Sequence, residues 1–248
     1  KGSLPESVLS DGDSFPLSME AVIEAVERVV NDYNDLEVIL AQPEDSMPRV
    51  QRAYKTAQDE KARLVYAHIL GMLGDPTGAE TLLNAVGSAE WDKGWNYTGM
   101  GQFGMSLSPL DSLVVALGRT RDKRALKVVI EKVEKLDVDS EFSHFRAVAL
   151  ALETLGEAAG AKPLADLLKK PGIMGHAFTD IEEARNRTPA DASDTTTRNT
   201  SLKELFLARA LYRCGDYEGL GRRVLGEYAR DLRGHYARHA QAVLKGRK

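Results

Sequence analysis

Apolar residues recur along most of this chain at intervals of three and four, the spacing that gathers them on one face of an α-helix. Val22, Ile23, Val26, Val29 and Val30 keep that period and predict a helix over 19–40, with Ser18 placed to cap it. Pro43 and Pro48 punctuate the segment that follows, and a short helix is predicted over 48–58. The pattern then comes in pairs: 60–73 with 77–86, 109–118 with 122–136, 145–155 with 161–169, and 202–213 with 216–231. In the first pair Leu64, Ala67, Leu70 and Leu73 line one face, answered by Leu82, Leu83 and Val86. A last helix over 234–245 closes the series, and its many charges suit a terminal element that meets water.

The junctions within the pairs resemble one another. Leu73-Gly74-Asp75, Leu155-Gly156-Glu157 and Cys214-Gly215-Asp216 each end an apolar stripe, while Leu117-Gly118 delays its acid to Asp122. Glycine enters the left-handed conformation cheaply and ends a helix, and an acid just beyond opens the next. Two further starts are marked by Ser108-Pro109-Leu110-Asp111 and by a capping box, Ser201-Leu202-Lys203-Glu204. Repeated helix–Gly–acid–helix units predict an all-α fold, an α-solenoid of HEAT-like helical repeats wound as a right-handed superhelix. The turn glycines stand 44, 38 and 59 residues apart, whereas a bare pair needs roughly 35–45. The excess marks insertions at 87–107 and 171–200, where a solenoid carries its function.

At 248 residues, 43% hydrophobic and 28% charged, the chain suits one domain with an extended core, 18–248, behind an irregular segment, 1–17. No apolar run approaches the roughly 18 residues of a membrane helix. The start, Lys1-Gly2-Ser3-Leu4-Pro5, lacks an initiator Met and reads as an excised or processed part of a longer protein. The compartment therefore stays open, and an exported or periplasmic protein fits a processed start. Cys214 is the sole cysteine and reads as a small buried thiol. Net charge is −4, but residues 1–60 carry 5 basic and 13 acidic side chains, and residues 201–248 carry 11 basic and 5 acidic. Such polarity orients one end toward a partner, or simply reflects solvated outer faces.

The first insertion holds both tryptophans, Trp91 and Trp95, with Asp92, Tyr97 and Phe103 among glycines. Such a loop packs onto something: a gap in the solenoid, or a partner surface. Its Gly99-Met100-Gly101-Gln102-Phe103-Gly104 matches G-x-G-x-x-G in letters only, because no strand precedes it. In the second insertion His176 stands beside Gly175, a candidate base or ligand with no Ser or Cys nucleophile motif near it. His144 and Arg146 open the third pair, with Asp139 and Glu141 just before them. His235 and His239 are four apart on the last helix but have no further zinc ligand beside them. Arg222, Arg223, Arg230, Arg233 and Arg238, interleaved with Tyr228 and Tyr236, form the one pattern suited to nucleic acid. Some HEAT-like proteins are DNA-base glycosylases, but the acidity of the whole chain argues against nucleic acid.

The run from Arg146-Ala147-Val148-Ala149-Leu150-Ala151-Leu152 to Leu155-Gly156-Glu157 resembles the HEAT-like repeats of the phycobilisome-lyase type, a resemblance of fold. A second likeness rests on Trp91-Asp92-Lys93-Gly94-Trp95-Asn96-Tyr97, Gly101-Gln102-Phe103-Gly104, Ser108-Pro109-Leu110-Asp111 and Leu117-Gly118-Arg119-Thr120. With His144, Arg146 and Pro171-Gly172-Ile173-Met174-Gly175-His176, these resemble the C-terminal helical region of large bacterial FAD-dependent oxidoreductases over residues 60–245. That likeness implies an accessory half whose flavin-binding half lies elsewhere, and it carries no catalytic residue, metal site or cofactor onto this chain. The expected function is a non-catalytic scaffold docking another protein or a covalently linked domain through 91–105 and 172–178, with no membrane. The alternatives are a concave-face enzyme or ligand site built from Asp92, His144, Arg146 and His176, and a nucleic-acid binder using the basic C-terminal helices.

Overall fold

The structure is a computed structural model that describes residues 18–96 and 107–246. The expected irregular segment 1–17, the glycine motif at 99–104, and Tyr97 and Phe103 lie outside the described residues. Thirteen α-helices and no strand occur among the described residues. They are α1 (Met19–Arg28), α2 (Leu36–Ala41), α3 (Pro43–Thr56), α4 (Glu60–Met72), α5 (Ala79–Ser88), α6 (Pro109–Arg119) and α7 (Ala125–Glu134). The series continues with α8 (Phe142–Leu155), α9 (Ala161–Leu168), α10 (Ile181–Arg187), α11 (Thr196–Arg213), α12 (Leu220–Tyr228) and α13 (Gly234–Lys245). The chain is an all-α solenoid. Helices α4, α6, α8 and α11 stack in succession as one layer, α5, α7 and α9 form the second, and α12 and α13 close the array.

Small residues let the first layer stack closely. A side chain at Gly118 would put its Cβ 2.5 Å from the Ala151 backbone, and one at Gly71 would come 2.8 Å from the Ala116 carbonyl. Ala147, Ala149, Ala151, Ala208 and Ala210 are likewise fully buried. The core falls into two clusters that share α4: Tyr66, Ile69 and Leu70 face α1–α3, while Ala67 faces the repeats that follow.

Gly74, Gly156 and Gly215 end their helices with positive φ, as the repeated junction predicts. Gly118 does not. Helix α6 runs past it to Arg119, Arg121 takes the left-handed turn instead, and Gly118 serves the close contact with Ala151. The predicted helix over 19–40 is broken after α1, where Asp32 caps a new turn by accepting from Asn34 N. Helix α3 begins at Pro43, earlier than predicted, because Pro at the first helical position gives up only a donor with no intrahelical partner. The expected capping box at Ser201–Glu204 is also corrected. Helix α11 starts six residues earlier than predicted, so Ser201 sits inside it, bonding the Thr197 carbonyl, and Glu204 is buried and reaches across to another loop. The second insertion, 171–200, contains α10 and the first turn of α11.

Candidate functional site

The first insertion leaves α5 as an extended strap, residues 89–96, laid across the starts of α6 and α8. A helix start carries backbone N–H groups without intrahelical partners, and the strap supplies acceptors to both helices. Asp92 Oδ2 accepts from Leu110 N at 3.1 Å, beside the Ser108–Asp111 capping box of α6. On α8, Glu141 makes no side-chain cap, and Asn96 Oδ1 accepts from Phe142 N at 2.8 Å instead. Ser143 and Trp95 then exchange two bonds: Trp95 N donates to Ser143 Oγ at 2.8 Å, and Ser143 N donates to the Trp95 carbonyl at 3.0 Å.

His144 lies beneath this strap, 2% exposed. Trp91 stacks on its ring at 4.3 Å, and a side chain at Gly94 would meet its Cε1 at 2.7 Å, so only glycine lets the strap pass. The Trp91 indole N–H points to the Lys132 carbonyl at 3.4 Å, and Lys132 Nζ donates to the Ala89 carbonyl, fixing the strap's first residues to α7. Asp111 Oδ1 lies 2.7 Å from His144 Nδ1, and Glu141 Oε2 lies 3.4 Å from Nε2 without hydrogen-bond alignment. Burial opposes charge on His144, but Asp111, Glu141 and Asp92 outweigh it and raise the imidazole pKa. Burial likewise opposes the Asp111 carboxylate, yet its bonds from His144, Ser143 and Ser108 hold its pKa down. Both shifts favour the charged forms, an imidazolium beside a carboxylate. With its ring covered by Trp91 and Gly94, His144 holds the strap and is not open to a substrate.

The two tryptophans have separate fates. Trp91 is partly buried against the core, whereas Trp95, with both backbone polar groups pinned, leaves its indole 47% exposed. Arg146 is turned elsewhere, its guanidinium 5.8 Å from the Phe206 ring, which meets Phe142 edge-on.

His176 belongs to a second network. Glu204 accepts from Gly175 N and His176 N, both at 2.9 Å, and from the Tyr228 hydroxyl at 2.9 Å. The His176 ring is held by the Gly172 carbonyl and Arg187, and its carbonyl accepts from Ser201 Oγ and Arg233. Asp231 pairs with Arg233 at 2.7 Å and accepts from Phe178 N. The structure thus sets Asp92 near enough to His144 to act on its charge and places His176 in a separate hydrogen-bonded cluster. Tyr228 and Tyr236 are buried and Arg233 is internally paired, so these three residues form no platform for bases.

Three polar positions went unread. Asp111 looked like a cap only, Glu204 looked like half of a capping box, and His68 was passed over within Tyr66-Ala67-His68-Ile69-Leu70. That last one did leave a signal, a lone polar residue inside an apolar run. His68 is 6% exposed, with Tyr33 Oη at its Nδ1 and Ser112 Oγ 2.8 Å from its Nε2. Among the described residues no group of three or more His, Cys, Asp or Glu could hold a metal ion, and no helix is long and apolar enough to cross a membrane.

No protein-family model matches the chain, and comparison with curated proteins gives no match. Among solved structures, the complex of CpcE and CpcF of phycocyanin lyase from Nostoc sp. PCC7120 is similar at 17% identity, over 98% of this chain and 81% of that one. The TM-score is 0.40. Likeness at that level assigns no activity, and the fold stands on the helices described above.

Proposed function

We propose that this chain is a non-catalytic helical-repeat scaffold that docks another protein or a covalently linked domain through the strap and the loop at 172–178. One observation carries the reading: Trp95 presents an exposed indole from a backbone hydrogen-bonded on both sides to α8. A large, pre-positioned aromatic loses little conformational freedom on binding, the quality that makes tryptophan an interface anchor. The residues beneath it serve to hold that mount: Asp92 and Asn96 are spent on helix caps, and His144 is covered. In its finer form the partner is a domain of the same longer polypeptide, as the resemblance to bacterial FAD-dependent oxidoreductases implies.

The test is a photo-crosslinking amino acid placed at Trp95 in the native, full-length polypeptide, with Ile181, 58% exposed, as the control position. The expected result is a defined crosslinked peptide from position 95, either from another part of the same chain or from one other protein. Crosslinking from position 95 no more defined than that from 181 contradicts the proposal.

A further inference from the structure

A cavity of about 420 Å³ opens between α4 and α6. Leu64, Val65, Leu107, Pro109 and Leu113 make its apolar wall, and among the described residues Tyr33, His68 and Ser112 line it with the only polar side chains besides Ser108. Ser108 is fully buried and spent on the α6 capping box. The polar edge is thus a three-membered relay, Tyr33 hydroxyl to His68 to Ser112 hydroxyl.

Counting protons on that relay shows what it offers. A neutral imidazole has one N–H and one bare nitrogen. Together with two hydroxyls it has three protons and only two bonds to make. If Tyr33 donates to Nδ1, then Nε2–H donates to Ser112, whose own O–H is spare. In the other tautomer Ser112 donates to Nε2, Nδ1–H donates to Tyr33, and the phenol O–H is spare. Among the described residues neither hydroxyl makes a further hydrogen bond. Burial lowers the His68 pKa to about 4, a hydrogen bond to the Ser112 backbone opposing and Arg119 acting in the same sense as burial, so the neutral ring is favoured.

We infer that this cavity is a binding site for a neutral, largely apolar small molecule carrying one hydrogen-bond acceptor, such as a ketone, ester or ether oxygen. The apolar wall disfavours a charged ligand, since among the described residues no cation or anion lines it. One donor on an apolar wall selects one acceptor, because a buried oxygen left unpaired is costly. The site is independent of the docking surface and stands or falls without it.

The test is titration of the full chain with 6-propionyl-2-dimethylaminonaphthalene, a neutral fluorophore with a single ketone. The expected result is saturable binding at one site with blue-shifted emission. Val65→Phe and Leu113→Phe, each filling the space from a different helix, are expected to weaken binding by about tenfold or more. Tyr33→Phe combined with Ser112→Ala is expected to weaken the ketone by about three- to tenfold. That pair should leave unchanged the affinity of 2-isopropylnaphthalene, similar in size but without the oxygen, measured by competition. Absence of saturable binding, or binding indifferent to both filling variants, overturns the site. Equal losses for the ketone and the hydrocarbon overturn the assignment of the relay as its donor.

Discussion

Two histidines of this solenoid are almost completely buried, and their surroundings prepare them in opposite ways. His144 has Asp111 at one ring nitrogen, Glu141 near the other and Asp92 close by, and its pKa is raised. His68 has hydroxyls at both nitrogens, and burial drives its pKa down to about 4. Burial is common to both, so the partners decide the charge. An imidazole between carboxylates, its charge favoured, lies beneath the strap over α8. A neutral one between hydroxyls edges a cavity. The same residue type is therefore a clamp in one repeat junction and a recognition edge in the other.

The comparison breaks most visibly at Asp111. Asp111→Ala removes the closest partner of the buried His144 and half of the α6 capping box. We expect a loss of about 3–5 kcal/mol in unfolding free energy, read by denaturant titration. A loss near zero would mean that the pair does not carry charge. The tryptophans give a smaller, sharper contrast. Trp91→Ala removes a partly buried ring from His144 and is expected to cost about 2 kcal/mol. Trp95→Ala removes an exposed indole and should stay within about 0.5 kcal/mol of the parent. Equal costs would merge the roles that separate mount from presented anchor.

Much of the fold was legible because helical period and helix punctuation are local. The junction glycines at 74, 156 and 215 and the cap at Ser108 all sit where their backbone chemistry requires. Gly118 shows the limit: the residue type was informative, but its reason, an approach to Ala151 of the next repeat, is a tertiary one. The candidate site divides along the same line. Trp91, Asp92, Trp95 and His144 drew notice as unusual residues in or near an insertion, and the structure gathers them. Asp111 and Glu204 were hidden by their local disguise as cap residues, since nothing local reveals a partner 33 residues away, as for Asp111, or 29, as for Glu204. The break between α1 and α2 was missed because the valine period carries on through Val29 and Val30 although Asp32 restarts the chain.

The measurement that tests the clamp most directly is an NMR pH titration of the two imidazoles, with the Gly94 and Trp95 amides as reporters. An unfolded histidine titrates near about 6.5. Because the folded His144 value is raised, its stabilisation is fully present below that pH and is lost as pH rises through the folded value. His68 runs the other way: its contribution is present above about 6.5 and is lost as pH falls toward about 4. His144 is expected to titrate above 6.5 with the Gly94 and Trp95 amides moving in step, and His68 to stay neutral until near 4. A His144 that titrates at or below 6.5, or one whose titration leaves the strap amides unmoved, would contradict the clamp.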